Sequence, residues 1–269
     1  MSEENIVLNF NDAINALNSA AETFKIDVWV PSKEKYISFK QIDAKQQKNL
    51  LSAAIDNSVY NTDFISVFYN ILKDNILNED KSIVDSFTFA DRSFIAIALR
   101  SQISEELSVK FTDDKTEKIK ISELLSAFNN YKNPEKETLT IKNENVTIST
   151  DICLPSFINE LQYEEQFSKE YKKIENLNST KDLQTLVSEA FISETSKYIT
   201  SLTINDNIFD FSTLTFNQKI KIVEKLSSGL IQKILEKISN WKKDIDSYLT
   251  VKNGDDSKVI TIDSLLFLS

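Results

Sequence analysis

Histidine is absent from the 269 residues. Its absence excludes Ser–His and Cys–His nucleophile pairs, His-based zinc sites and the common general base near neutral pH. Any catalysis would have to run on carboxylates, Lys or Tyr. Cysteine occurs once, as Cys153, so neither an intramolecular disulfide nor a multi-cysteine zinc site can form. Between Ile152 and Leu154 it reads as a small core residue. Glycine occurs only as Gly229 and Gly254, where average usage of roughly 7% would supply about nineteen. Phosphate cradles need several glycines so that backbone can approach the ligand, which excludes a P-loop and a dinucleotide fingerprint. Turns must be built instead from Asn, Asp, Ser and Lys.

Positive charge is also short: Lys and Arg number 31 against 41 Asp and Glu, a formal net charge of −10. Basic residues are interleaved with acids, as in Lys115-Thr116-Glu117-Lys118, and no basic stripe exists to follow a phosphate backbone. No nucleic-acid partner is expected. The longest apolar run, Phe94–Leu99, falls far short of the ~20 residues that cross a bilayer. The start, Met1-Ser-Glu-Glu, is acidic and unlike a signal peptide, so the chain is expected in the cytoplasm where it is made. Asn145 and Asn178 are then not expected to carry glycans.

What is present is enough apolar material for a real core, with 41% hydrophobic and 27% charged residues. The expected class is α+β, mostly helical with several β-hairpins, each followed by a capped helix. A first helix is expected over Asp12–Thr23, with Ala13, Leu17, Ala20 and Phe24 on one face. Alternation then marks a hairpin: Ile26, Val28 and Val30, a turn at Pro31-Ser-Lys-Glu, and a return through Tyr36–Lys40. Asp43 with Gln46 has capping-box spacing and opens a helix carrying Leu50, Leu51, Ala54 and Ile55. Phe64, Ile65, Phe68, Leu72 and Ile76 recur at helical spacing. A second box, Thr88 with Asp91, opens the helix of Phe94, Ile95, Ala98 and Leu99.

Four looser versions of the plan follow. Glu106–Phe111 and Lys118–Ile121 flank a turn at Thr112–Lys115, with Ser122 as cap of a short helix Glu123–Tyr131. Thr138–Lys142 and Val146–Ser149 precede a helix from Pro155 to Ile174. Tyr198–Ile204 and Ile208–Phe211 precede a box at Thr215 and Gln218 and a long helical region to Tyr248. Leu249–Lys252 and Lys258–Ile262 precede a last turn at Asp263. A further helix over Ser179–Phe191 places Leu183, Leu186, Val187 and Ala190 on one face, after a linker at Asn176-Leu-Asn-Ser-Thr. The expected division is residues 1–133, with its core at 26–104, and residues 134–269, cut near Pro134. Isolated hairpins are marginal in water, so their edges are candidate docking strands for other proteins.

Acidic pairs are the only enzymatic temptation. Asp113-Asp114 and Asp255-Asp256 sit in turns, where Asp bonds its own backbone, and neither has the ligand spacing of a calcium loop. A carboxylate-dependent hydrolase would require a cleft with two facing acids. Asp91 is explained as the capping acid of Thr88. Arg100 lies nine positions on, too far for a helical pair, and reads as a buried or interface arginine that fixes a neighbouring loop. No catalytic, cofactor-binding or metal-binding residue is assigned, no cofactor or small-molecule substrate is expected, and the chain is read as a non-enzyme.

Several segments carry a resemblance. Asp27-Val-Trp-Val-Pro-Ser, the hairpin end Ile37-Ser-Phe-Lys, Gln46-Gln-Lys-Asn-Leu-Leu-Ser-Ala-Ala-Ile-Asp56 and Tyr60-Asn-Thr-Asp-Phe are four of them. With Phe87-Thr-Phe-Ala-Asp-Arg and Ile97-Ala-Leu-Arg-Ser, they resemble the opening of the baseplate hub protein family of T-even-type contractile-tailed bacteriophages. The resemblance covers residues 26–104. It implies a hub subunit or a hub-assembly factor, with other tail and hub proteins as partners and no catalytic residues to carry over. The implied location is the host cytoplasm during assembly and the virion tail baseplate. Two alternatives remain beside it: an assembly chaperone absent from the mature virion, and a host-directed binding module.

Overall fold

The computed structural model describes residues 9–55, 62–112, 115–174 and 180–261. Helix α1 (Phe10–Thr23) starts at Asn9, whose side chain accepts from Asp12 N at 3.0 Å. Its expected inner stripe in fact faces solvent: Leu17 is 65% and Phe24 63% exposed. Strands β1 (Lys25–Val30) and β2 (Lys35–Lys40) form the first hairpin, with Val28 opposite Ile37. A 3-10 turn over Pro31–Lys33 joins them, and Glu34 closes it in the left-handed region at φ 49°. As the alternation requires, Val28, Val30, Ile37 and Phe39 face the core.

Helix α2 (Ala44–Ile55) opens on the expected box: Gln46 N donates to Asp43 Oδ1 at 2.7 Å and Gln46 Oε1 accepts from Asp43 N at 3.1 Å. The Gln46 side chain also pairs with buried Asn75, fastening α2 to the end of α3 (Thr62–Asn75). Beyond α3, Leu77 N bonds Ser38 O at 3.0 Å and Asn78 Oδ1 accepts from Ser38 N at 2.9 Å, so the outer edge of β2 is occupied. Helix α4 (Phe89–Ser101) is buried at every position from Ala90 to Arg100, and a helix enclosed on all sides is an axis rather than a surface layer. Phe94 stacks on Phe128 with centroids 4.0 Å apart and meets Tyr131 edge-on at 5.3 Å.

The remaining hairpins do not all stand alone. Strands β3 (Glu106–Thr112) and β4 (Lys115–Lys120) do form a separate pair. However, β5 (Glu137–Lys142), β6 (Thr147–Ile152), β7 (Ile199–Ile204) and β8 (Asn207–Asp210) make one antiparallel sheet in that order. Helices α6 (Phe157–Ile174) and α7 (Thr180–Ser196) lie in sequence between β6 and β7, so the pairing is non-local and leaves no local signature. It spares both hairpins an isolated edge. The β7–β8 turn puts Asn205 and Asp206 at φ 45° and 69°, as a two-residue primed turn demands of residues that tolerate positive φ.

Several boundaries differ from expectation for local reasons. Strand β4 begins at Lys115 rather than Lys118, because its charged residues face solvent and obscure the alternation. Helix α5 (Ile121–Phe128) starts before Ser122, which does not cap it. Its first amide is satisfied by backbone instead, Ile121 N to Glu105 O at 3.0 Å. The long helical region splits into α8 (Phe216–Val223) and α9 (Ser228–Leu249), the second capped by Ser227. The Thr215–Gln218 box is formed as expected. Strands β9 (Thr250–Asn253) and β10 (Asp256–Val259) make the last hairpin. Val187 of α7, expected on an inner face, is 62% exposed. Asp113-Asp114, Asn176 to Ser179 and Asp263 lie outside the described residues.

Helix α9 buries Leu230, Ile234, Ile238, Trp241, Ile245 and Leu249 along one stripe and packs on α5 and β5. One apolar cluster accordingly holds buried side chains from both sides of Pro134. The aromatic contacts of α4 lie at its centre. Replacing Phe94 with Ala should lower unfolding free energy by about 3–5 kcal/mol, read as a lower urea midpoint with an unchanged slope.

Candidate functional site

Of the residues singled out in the sequence, Asp91 has the clearest structural work. Its Oδ2 accepts from Thr88 N at 2.6 Å and Thr88 Oγ1 at 2.9 Å, closing the N-terminal box of α4. Its Oδ1 accepts from Ser32 N at 2.9 Å, so the same carboxylate pins the β1–β2 turn onto α4. Burial pushes the Asp91 carboxyl up, and the bonds from Ser32 and Thr88 act against the rise. Arg100, at the other end of α4, is fully enclosed, and burial lowers the pKa of its guanidinium. A cation in the last turn also suits the helix dipole. Cys153 is half-buried, and burial raises its thiol pKa, which fits a packing role rather than a thiolate. Asp256 pairs with Lys115 at 2.9 Å and ties the last hairpin to β4.

The structure also assembles a group that the sequence does not announce. A cavity of about 250 Å³ opens between α4, α6, the end of α7 and α9. Arg92 of α4 meets Glu160 of α6 at 3.0 Å, with its guanidinium also over the rings of Phe89 and Phe157. Lys197, just past α7, bonds Glu194 at 2.6 Å and lies 3.8 Å from Glu160. Lys242 of α9 reaches the other oxygen of Glu194 at 2.7 Å. Burial alone would lower the pKa of Lys197, but Glu160 and Glu194 outweigh it and the net shift is upward. Burial likewise works to raise Glu194, and Lys197 and Lys242 hold it below the usual range. Glu164 is pushed up by burial, pulled partly back by Lys197 and raised further by Glu194 and Glu160.

These residues lie at 92, 160–164, 194–197 and 242, and no single segment signals the group. Acids do face this cavity, but Glu160 and Glu194 are each bound by two cations. What the arrangement does chemically is clamp four helical segments together through neutralised charge. Among the described residues, no group of three or more His, Cys, Asp or Glu side chains is placed to hold a metal ion, and no helix is long and apolar enough to cross a membrane. Exposed apolar side chains gather elsewhere, at Phe10 and Leu17 of α1, Val187 and Phe191 of α7, and Ile208 and Phe209 of β8.

Two substitutions test these assignments. Asp91→Asn would turn an amide donor toward either Ser32 N–H or Thr88 N–H, and should cost about 1–3 kcal/mol in a denaturation curve. Lys197→Met leaves buried Glu160 with Arg92 alone and half-buried Glu194 with Lys242 alone, and should cost about 1.5–3 kcal/mol. A lysine whose folded pKa is raised gives stability that is complete below its ordinary 10.5 and is lost as pH rises through the folded value. The wild-type protein should therefore lose stability above that pH in melting scans, and the Lys197→Met protein should lack that alkaline component.

Residues 22–266 match a protein family described as T4 bacteriophage base plate protein. No curated protein and no solved structure matches the chain significantly. The family match takes in both the α4 axis and the four-helix charge clamp, extending well beyond the residues that carried the sequence resemblance. The chain therefore belongs to the T4 bacteriophage base plate protein family, and its role is a structural or assembly one in the phage baseplate.

Proposed function

We propose that the protein is a component of the baseplate hub, or a factor that assembles the hub, and that it works by contact with other tail proteins rather than by catalysis. The observation that carries this reading is the family match over residues 22–266. The assignment to the hub rests on the resemblance of residues 26–104, whose hairpin, Gln46 helix and Asp91 helix occur here in the expected order.

The geometry supports contact over chemistry. Glu160 and Glu194 in the charged cavity are each held in ion pairs with two cations, which suits a structural clamp. Apolar side chains lie exposed on three separate elements, α1, α7 and β8, and such surface is what a subunit in a larger assembly uses.

Mass spectrometry of purified tails, combined with infection by a phage carrying a nonsense mutation in this chain, tests the proposal. Loss of the gene product should abolish hub formation. Presence of the protein in mature tails would make it a building block, and absence with failed hubs would make it an assembly chaperone. Normal hubs without it would overturn the hub assignment.

A further inference from the structure

The outer edge of β8 differs from the edges of β2, β5 and β4. The edge of β2 is bonded by residues 77 and 78. That of β5 is held by α9, where Lys233 Nζ donates to Thr140 O at 2.9 Å and Lys237 pairs with Glu137 at 2.5 Å. The β3–β4 pair exposes Lys118 and Lys120 on β4, and lysines on an edge discourage an incoming strand. Strand β8 has no such guard. All four residues are exposed, none is Lys or Pro, and Ile208 and Phe209 are 74% and 46% exposed on opposite faces.

The register says which backbone groups are free. A two-residue turn makes Ile204 and Asn207 a hydrogen-bonded pair, so Leu202 and Phe209 are the next, and Ile208 and Asp210 fall at the alternate positions. The amides and carbonyls of Ile208 and Asp210 therefore point away from β7. Thr213 Oγ1 donates to Asp210 O at 2.8 Å, which uses one lone pair of that carbonyl and leaves the other. On one face, Leu139, Thr150, Leu202 and Phe209 lie side by side across the four strands, and among the described residues no further strand extends the row past Phe209. Residues 205–210 hold two carboxylates, Asp206 and Asp210, and no cation. Neither acid forms an ion pair within 4 Å among the described residues, although Lys219 of α8 acts on Asp210 from farther off, and the chain as a whole carries −10.

We propose that β8 is an acceptor edge for an added strand from another protein. The guest is an extended segment with an apolar β-branched residue beside Phe209 and Lys or Arg opposite Asp206 and Asp210. Main-chain bonds at Ile208 and Asp210 provide the attachment, and the continued apolar row and opposite charge select the guest. A second copy of this chain is the less favoured guest, because it would bring two acidic edges together. That the donor is a baseplate protein rests on the function proposed above, whereas the strand addition itself does not.

The probe is the capped peptide Thr-Lys-Val-Thr-Thr-Lys-Thr, with Thr-Glu-Val-Thr-Thr-Glu-Thr as its acidic control, added to the full chain and followed by amide exchange in NMR spectra. The lysine peptide should slow exchange at Ile208 and Asp210 by about tenfold or more. Ile208→Pro removes an amide that bonds nothing within the sheet, so it should leave the melting temperature unchanged and weaken peptide binding about tenfold. Asp210→Asn keeps an oxygen for Ser212 N and should narrow the preference for lysine over glutamate. Equal protection by the two peptides, or unchanged exchange at both amides, overturns the proposal. So does protection that appears without peptide, as a concentration-dependent dimer that Ile208→Pro abolishes. If hubs form normally without the protein, the donor's identity as a baseplate protein falls while the peptide result stands.

Discussion

Helix α4 has no solvent-facing side, and that constraint organises the molecule. Eleven consecutive residues from Ala90 to Arg100 are buried, and among them are one acid and two arginines. Enclosing an apolar helix is favourable without further provision, but enclosing three ionisable side chains is not, and each has a dedicated solution. Asp91 takes three hydrogen bonds from Thr88 and Ser32, and Arg92 takes Glu160 together with two aromatic faces. Arg100 sits at the C-terminal end of the helix, where the dipole favours a cation. The first hairpin and α6 are fixed on α4 by these polar contacts, in addition to the aromatic packing of Phe94.

From Arg92 the charge network continues outward through Glu160, Lys197, Glu194 and Lys242, linking α4 to α6, α7 and α9. Such a network gives less net stability than its Coulomb attraction implies, since its inner members Arg92, Glu160 and Lys197 have lost most of their water. Its stronger effect is on geometry: a displaced helix would leave a buried charge without a partner. For a protein with a structural or assembly role in the baseplate, such a device suits the task. It also explains how a chain with almost no glycine, and with one cysteine and hence no intramolecular disulfide, holds a defined arrangement around one apolar cluster of its described residues.

Legibility in the sequence followed the range of the interaction. The boxes Asp43–Gln46, Thr88–Asp91 and Thr215–Gln218 were readable because a cap involves residues three apart, and all three formed. The first hairpin was readable because one side of it is buried and its alternation is clean. The start of β4 is obscured because charged residues occupy both faces of that strand, and Ser122 does not cap because the helix already begins at Ile121, which places Ser122 inside the first turn. Val187 and Leu17 were placed inside because periodicity reports that a helix has an apolar side, not what that side meets.

By itself, the sequence determined the α+β class, the positions of the hairpins and capped helices, and the absence of histidine, disulfide and glycine-cradle chemistry, because these depend on composition and on neighbours a few residues away. It also carried the baseplate family resemblance. Only the tertiary structure decided that two hairpins merge into one sheet and that Arg92, Glu160, Glu194, Lys197 and Lys242 share a cavity. The same is true of the exposure of β8, α1 and one side of α7. Those outcomes join segments separated by tens of residues, and the order of residues along a chain does not record which distant partner will lie across from each.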